Sequence, residues 1–291
     1  MIIDIFTYSK ASPNASFSVN ELIEGAKSAH LDGICVTDRV VSSHAKDLVM
    51  AGKNAGLFVG VGLELETAAG RVVAYPKNVD DEFVGEAWKC LGDKPQAEDV
   101  LNYFHQRGGI VIARDIYNRG EGMKDNLFHI KDDEGRGFDG VDTIAAYRRR
   151  IDNELTIEAQ QVAKMPACAG SGAFESIDDI GCCATLFAAS IADQAQFVEA
   201  MQSRSHWACT LRDLADACPM GSAPKLDDDR DDRRSDRRTD RGERNFKGAD
   251  RRGNDRRDRD RRGNDRRSRD RRSGDKNRRN DDRRGARKPR D

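Results

Sequence analysis

Asp4-Ile5-Phe6-Thr7-Tyr8-Ser9 continues the apolar run that opens the chain at Ile2, and the reading of this stretch decides the fold. Residues Ile2–Phe6 predict a strand, and the polar and aromatic residues that follow stand at its carboxyl end. The pattern recurs downstream. Thr37-Asp38-Arg39 closes a second apolar run, Gly62-Leu63-Glu64 a third and Ala113-Arg114-Asp115 a fourth. Gly170-Ser171-Gly172-Ala173-Phe174 lies near the far end of the same region.

Working outward, strands are expected at Ile2–Phe6, Gly33–Val36, Leu57–Leu63, Arg71–Tyr75, Gly109–Ala113, Gly140–Ala145, Ala167–Ala169 and Cys183–Phe187. Amphipathic segments separate them. Ser18–Ala29 carries Val19, Leu22, Ile23 and Ala26 at helical spacing, and Ser18-Val19-Asn20-Glu21 fits a capping box. Further helices are expected at Ser43–Ala55, Gln96–Arg107, Asp152–Lys164 and Asp193–Ser203, with Gly56 where a left-handed cap is wanted. Strands alternating with helices predict an α/β fold of parallel strands with helical crossovers, either an open doubly wound sheet or a closed barrel.

The quoted segments, in their order and at their spacing, resemble the polymerase and histidinol phosphatase (PHP) family. Its usual pattern is D-x-H-x-H-S, T-D-H, G-x-E, a strand ending in H-P, and G-S-D-A-H. The resemblance covers most of residues 1–187 and implies a distorted seven-stranded (β/α) PHP-type barrel within a domain of residues 1–220. It also implies a cluster of two or three Zn, Mn or Fe ions that hydrolyses phosphoesters. Here the histidine slots hold Phe6, Tyr8, Arg39, Arg114 and Phe174, and the late aspartate slot holds Gly172. Glu64 alone remains of the aligned ligands. Phe has no lone pair to offer and Arg no neutral nitrogen, so no metal cofactor is expected.

Three meanings of the former metal site stay open. Phe6, Tyr8 and Phe174 could fill it as core, with Arg39 and Arg114 neutralising Asp38 and Glu64. The two guanidiniums could instead hold a phosphate-bearing small ligand, since their planar forks suit phosphate oxygens. Hydrolysis with one metal or none is the third. Glu66 and Asp115 are read as surface charges and His44 as a solvated helix-start residue, although it follows Arg39 closely enough to approach the pocket mouth; the run Arg148-Arg149-Arg150 is read as a solvated loop that could extend an anion-binding face.

Charge divides the chain. Residues 225–291 hold 29 Lys and Arg against 18 Asp and Glu, leaving 21 against 33 in residues 1–224. An acidic domain is thus followed by a basic low-complexity tail, residues 221–291, in which Gly-Asn-Asp-Arg-Arg recurs at 253–257 and 263–267. With almost no apolar residues to offset conformational entropy, this tail is expected to be disordered. Its arginines suit RNA or a ribonucleoprotein, although the interspersed aspartates weaken that attraction. Solubilisation, contact with its own domain and a protein partner are the alternatives. All seven cysteines precede residue 219 without metal-site spacing, and several sit in apolar runs as buried thiols. No apolar run approaches the roughly 20 residues of a membrane span, and a cytoplasmic protein is expected. Its expected function is binding or scaffolding, with a divergent metal-dependent phosphoesterase acting on nucleotides or nucleic-acid ends as the alternative.

Overall fold

The computed structural model describes residues 1–117, 123 and 126–212. The expected tail, residues 221–291, and the expected domain boundary at residue 220 lie outside the described residues. Nine strands form one sheet: β1 (Ile2–Thr7), β2 (Gly33–Arg39), β3 (Phe58–Thr67), β4 (Gly70–Tyr75), β5 (Ile110–Arg114), β6 (Gly140–Ile144), β7 (Ala167–Ala169), β8 (Cys183–Phe187) and β9 (His206–Thr210). Their order in space is β7-β6-β5-β4-β3-β2-β1-β8-β9. Among the described residues six α-helices accompany them: α1 (Val19–Ser28), α2 (Ala45–Ala55), the single turn α3 (Asp81–Val84), α4 (Ala97–Gln106), α5 (Arg150–Ala163) and α6 (Gln194–Gln202).

The sheet curls into a nearly closed barrel. The segment after β7 returns to β1, where Thr7 bridges Ala173 in parallel, the Gly172 amide donates to the Phe6 carbonyl at 2.7 Å and the Tyr8 amide to the Ala173 carbonyl at 3.2 Å. Asp4 fastens the same seam. Its Oδ1 accepts from the Ser171 amide at 2.8 Å and its Oδ2 from the Gly181 amide at 3.0 Å. Burial pushes the Asp4 carboxyl up to about 6, against the pull of these amides.

The barrel type expected from the resemblance is present, with nine strands where seven were expected and with mixed strand directions. β1–β2, β2–β3, β5–β6 and β6–β7 are parallel, whereas β3–β4, β4–β5, β1–β8 and β8–β9 are antiparallel. For β3–β4 the physical reason is connection length. Only Ala68 and Ala69 join β3 to β4, and two residues close a hairpin but cannot cross over a sheet.

Helices α1 and α4 pack outside the sheet through apolar stripes, Leu22, Ile23 and Ala26 of α1 and Val100, Leu101 and Phe104 of α4. The capping box at Ser18 and Glu21 forms as expected, and Gly56 takes φ +70° at the end of α2. Inside the barrel, Ile3, Ile5, Phe58, Val73, Tyr75, Ile110 and Ile112 form a second core that α6 plugs with Phe197 and Met201. Phe197 meets the rings of Phe58, Tyr75 and Phe187 at 5.0–5.8 Å. This plug seals one end and leaves the carboxyl ends of β1, β2, β3, β5 and β6 at the other. Cys35, Cys168, Cys182 and Cys183 are buried and free, while Cys90 is exposed and Cys209 half-buried. Among the described residues no helix is long and apolar enough to cross a membrane.

Candidate functional site

Seven of the eight residues singled out from the sequence meet at that open end, in one connected cluster around Glu64. Arg39, the last residue of β2, donates from Nε to Glu64 Oε1 at 2.7 Å. Arg114, the last residue of β5, places Nη1 3.2 Å from Glu64 Oε2, and the Tyr8 hydroxyl donates to the same oxygen. Phe6 and Tyr8 supply ring faces to the Arg114 guanidinium at 4.6 and 5.4 Å, and Arg39 lies 5.2 Å over Tyr8. Half-buried Phe174 meets Tyr8 edge-on at 6.4 Å. Gly172, at φ +68°, leaves room where a Cβ would lie 2.6 Å from the Tyr147 ring and 3.0 Å from Arg114 Nη2. Only glycine fits there on both counts.

The eighth residue, Asp38, stands apart. Sequence reasoning gave Asp38 an arginine partner. Instead its Oδ1 accepts from the Ser9 amide at 2.8 Å and the Ser12 hydroxyl at 2.6 Å. Its Oδ2 meets the Ser9 hydroxyl and His44 Nε2, both at 2.6 Å. His44 is therefore a half-buried partner of Asp38, not a solvated helix-start residue. Glu64 takes Arg39 because the two sit opposite each other in the β2–β3 register, whereas Asp38, the residue before Arg39, faces the other side of the strand.

Arg114 is 1% exposed, and nothing in the sequence pattern announced how its charge is met. Besides Glu64, its Nε lies 3.5 Å from Asp142 Oδ2 and donates to the Tyr147 hydroxyl at 3.3 Å. Asp142 in turn pairs with Arg148 Nη2 and accepts Arg148 Nη1 on its carbonyl at 2.9 Å. Asp115 accepts from Arg148 Nε at 2.7 Å, from the Tyr147 hydroxyl at 2.5 Å and from Arg71 Nη1 at 3.1 Å. Asp115 and Arg148 are thus buried members of a charge network, and the reading of both as surface charges is corrected. Glu66 is exposed beside Lys94, as expected. Asp142, Tyr147 and Arg71 were missed. The available signal was an aspartate inside the apolar run Gly140–Ala145, a charge that must find a partner when buried.

Electrostatics follow from this crowding. Burial works against the charge of Arg114, yet Tyr147, Tyr8, Glu64 and Asp142 around it raise its proton affinity well above the ordinary guanidinium value. Asp115 resists burial because Arg148, Arg114, Tyr147 and Arg71 hold it down at about 2. Asp142, without exposure, is pushed up to about 7 by burial despite Arg148 and Arg114. Two atoms of the network, Arg114 Nη1 and Asp142 Oδ1, are buried without a well-formed hydrogen bond.

The donor set does not fit a cluster of Zn, Mn or Fe. A cluster needs several imidazole and carboxylate ligands with free lone pairs. Here the one retained carboxylate already accepts from Tyr8 and Arg39 and is ion-paired with the Arg114 guanidinium. Among the described residues no three His, Cys, Asp or Glu side chains gather to hold a metal ion.

No protein-family model matches the sequence, and no curated protein does. Solved structures do match. PsfC from Pseudomonas syringae shares 18% identity at a TM-score of 0.55, over 74% of this chain and 93% of its own. A protein from Bifidobacterium adolescentis provisionally named a metal-dependent phosphoesterase shares 12% at 0.52, over 70% and 96%. An amidohydrolase from Chromobacterium violaceum, solved with sulfate and no metal, shares 11% at 0.52, over 73% and 99%. A two-domain Bacteroides vulgatus protein carrying a PHP-like metal-dependent phosphoesterase region shares 14% at 0.51, over 72% and 64%. At these identities the matches establish the fold, which is that of PHP-like metal-dependent phosphoesterases.

Proposed function

We propose that this chain is a catalytically degenerate PHP-like barrel that works in the cytoplasm by binding or scaffolding, and that its Arg-rich residues 225–291 associate with RNA or a ribonucleoprotein. The observation that carries the first part is Arg114, a buried cation in contact with the only retained ligand carboxylate. A guanidinium so placed repels a divalent metal and satisfies Glu64 without one. A phosphate-bearing small ligand is compatible with a metal-free barrel of this fold, since the Chromobacterium violaceum amidohydrolase holds sulfate with no metal.

The second reading is a divergent metal-dependent phosphoesterase acting on nucleotides or nucleic-acid ends. The fold likeness favours it, because the Bifidobacterium and Bacteroides proteins are both named for that activity. Elemental analysis of purified protein, beside a phosphoesterase screen supplemented with Mn and Zn, separates the two. Binding or scaffolding predicts no stoichiometric Zn, Mn or Fe, no turnover and no change in thermal stability on chelation. One or more tightly bound metal ions per chain, or metal-dependent turnover, would establish the second reading.

The RNA association is tested by removing residues 225–291. The remaining residues 1–224 carry 21 basic against 33 acidic side chains and repel a polyanion. Truncation is expected to leave the barrel folded and to abolish most RNA affinity. Full-length binding should fall steeply between low and physiological salt with little sequence preference. Salt-insensitive binding, or binding kept by the truncated chain, contradicts the assignment to the tail.

A further inference from the structure

Leu186 and Trp207 stand directly opposite each other on β8 and β9, and Ile2 stands opposite Leu186 on β1. Directly opposed residues share a face, so the three form one row across neighbouring strands. That face is the outer one. Phe187 belongs to the core inside the barrel, whereas Ala184, two residues from Leu186, belongs to the core beneath the helices. On this face Cys209 is half-buried, but Leu186 is 41% and Trp207 56% exposed. Helices cover the outside elsewhere: α1 lies on β2, α2 on β3, α4 on β4 and β5, and α5 on β6. Among the described residues no helix packs along the outside of β8 or β9. A singly exposed apolar residue is ordinary, but a contiguous aromatic and aliphatic row marks a surface that is normally covered.

The sequence after β9 supplies a cover. Arg212, the last described residue, follows the end of β9 closely, and its Nη2 donates to the carbonyls of Asp178 at 2.5 Å and Ile180 at 2.7 Å. Apolar residues come at once beyond it, as Leu214, Ala215, Ala217, Cys218, Pro219 and Met220, ahead of the charged repeats. The reach is sufficient. Retracing β9 from Arg212 to Trp207 takes about 17 Å, and residues 214–220 can span about 24 Å. The charges also match, since Asp213 and Asp216 are followed by no cation before Lys225, and exposed Arg204 and Arg212 flank β9. A segment on so short a tether has an effective concentration of order millimolar, which favours it over a second copy of the chain.

We propose that residues 214–220 fold back across β9 as a strap over Leu186 and Trp207, with Leu214 and Met220 against the indole and the two aspartates between Arg204 and Arg212. The strap does outside β8 and β9 what helices do over the other strands. It depends on neither the binder reading nor the RNA association, and truncation at residue 225 leaves it in place.

Trp207 is its own reporter, because the other tryptophan, Trp88, is 2% exposed. Acrylamide quenching of the full-length protein, with the emission of Trp207→Phe subtracted, isolates the Trp207 signal. Replacing Leu214 and Met220 together by Asp is expected to raise the Trp207 quenching constant about threefold and to shift its emission to the red, as release of a covered indole to 56% exposure requires. Leu226→Asp, the same change beyond the segment, leaves both unaltered. Circular dichroism melts check that each variant keeps the barrel, and Leu214→Ser with Met220→Ser carries the same reading if the Asp pair does not. Equal quenching of Trp207 in the unaltered protein and in the double variant overturns the strap. Protection that survives the double variant overturns it too; if that protection fades on dilution and sedimentation equilibrium shows a dimer, the face belongs to a second copy.

Discussion

Replacing Arg114 by Met tests whether the guanidinium is the counterion that holds the strand ends together. Arg114 is 1% exposed, Glu64 4% and Asp142 fully buried, so the change strands two carboxylates in a medium that penalises charge. Breaking a buried pair from one side costs about 3–5 kcal/mol. The lower end applies here, because Glu64 keeps Arg39 and Tyr8 and Asp142 keeps Arg148. A loss of about 3 kcal/mol in a domain of this size lowers the melting temperature by about 6–12 °C. Urea melts and thermal scans at neutral pH are the assay, with Arg39→Ala as reference. Arg39 is more than a third exposed and its pairing is screened, so its loss should cost about 1 kcal/mol or less. Adding Glu64→Gln to Arg114→Met should restore part of the loss, since one stranded charge is removed. If Arg114→Met is as stable as the unaltered protein, or the double variant is worse than the single, the counterion role is wrong.

Two further perturbations address neighbouring features. Gly172→Ala puts a Cβ 2.6 Å from the Tyr147 ring at φ +68°, and strain plus overpacking should cost about 2–4 kcal/mol by chemical denaturation; a neutral result would mean the Tyr147 ring yields freely. His105 sits between Asp132 at 2.8 Å and Asp139 at 2.9 Å, and although burial opposes its charge, these carboxylates raise its proton affinity above the ordinary value of 6.5. Its contribution to stability is then complete below 6.5 and lost as pH rises through the higher folded value, so His105→Gln should flatten the stability profile above 6.5. An unchanged slope in the variant would show that His105 does not carry the effect.

Periodicity revealed eight of the nine strands because each is a short apolar run. β9 escaped because His206-Trp207-Ala208-Cys209-Thr210 mixes polar and apolar residues and buries only its first side chain fully. Strand direction was legible in one place and overlooked: the short gap between the runs ending at Leu63 and beginning at Arg71 has no room for a crossover helix. The convergence of Arg39 and Arg114 on Glu64 followed from the two arginines standing at strand ends and from Glu64 lying opposite Arg39 on β3, which runs three residues beyond it. The network of Asp115, Asp142, Tyr147 and Arg148 did not, because its partners lie up to 33 residues apart and a local run of arginines carries no sign of which one turns inward. His44 was misjudged for the same reason. Its partner Asp38 is six residues away, across a loop whose path the pattern leaves open.

The seam at Asp4 has a consequence for how the chain reaches this fold. The first strand is fastened by amides 167 and 177 residues away, and its edge away from β2 pairs with β8 through Ile2 and Ile3. Contacts of such sequence separation demand loop closure before they reward it, and they slow folding. During synthesis at about 5–20 residues per second, the N-terminal strand waits about 10–40 s before β8 is made. Through that interval its apolar side chains have β2 on one edge and nothing on the other. The nascent chain therefore exposes an unpaired strand edge until β8 is made, an interval in which β1 is open to aggregation.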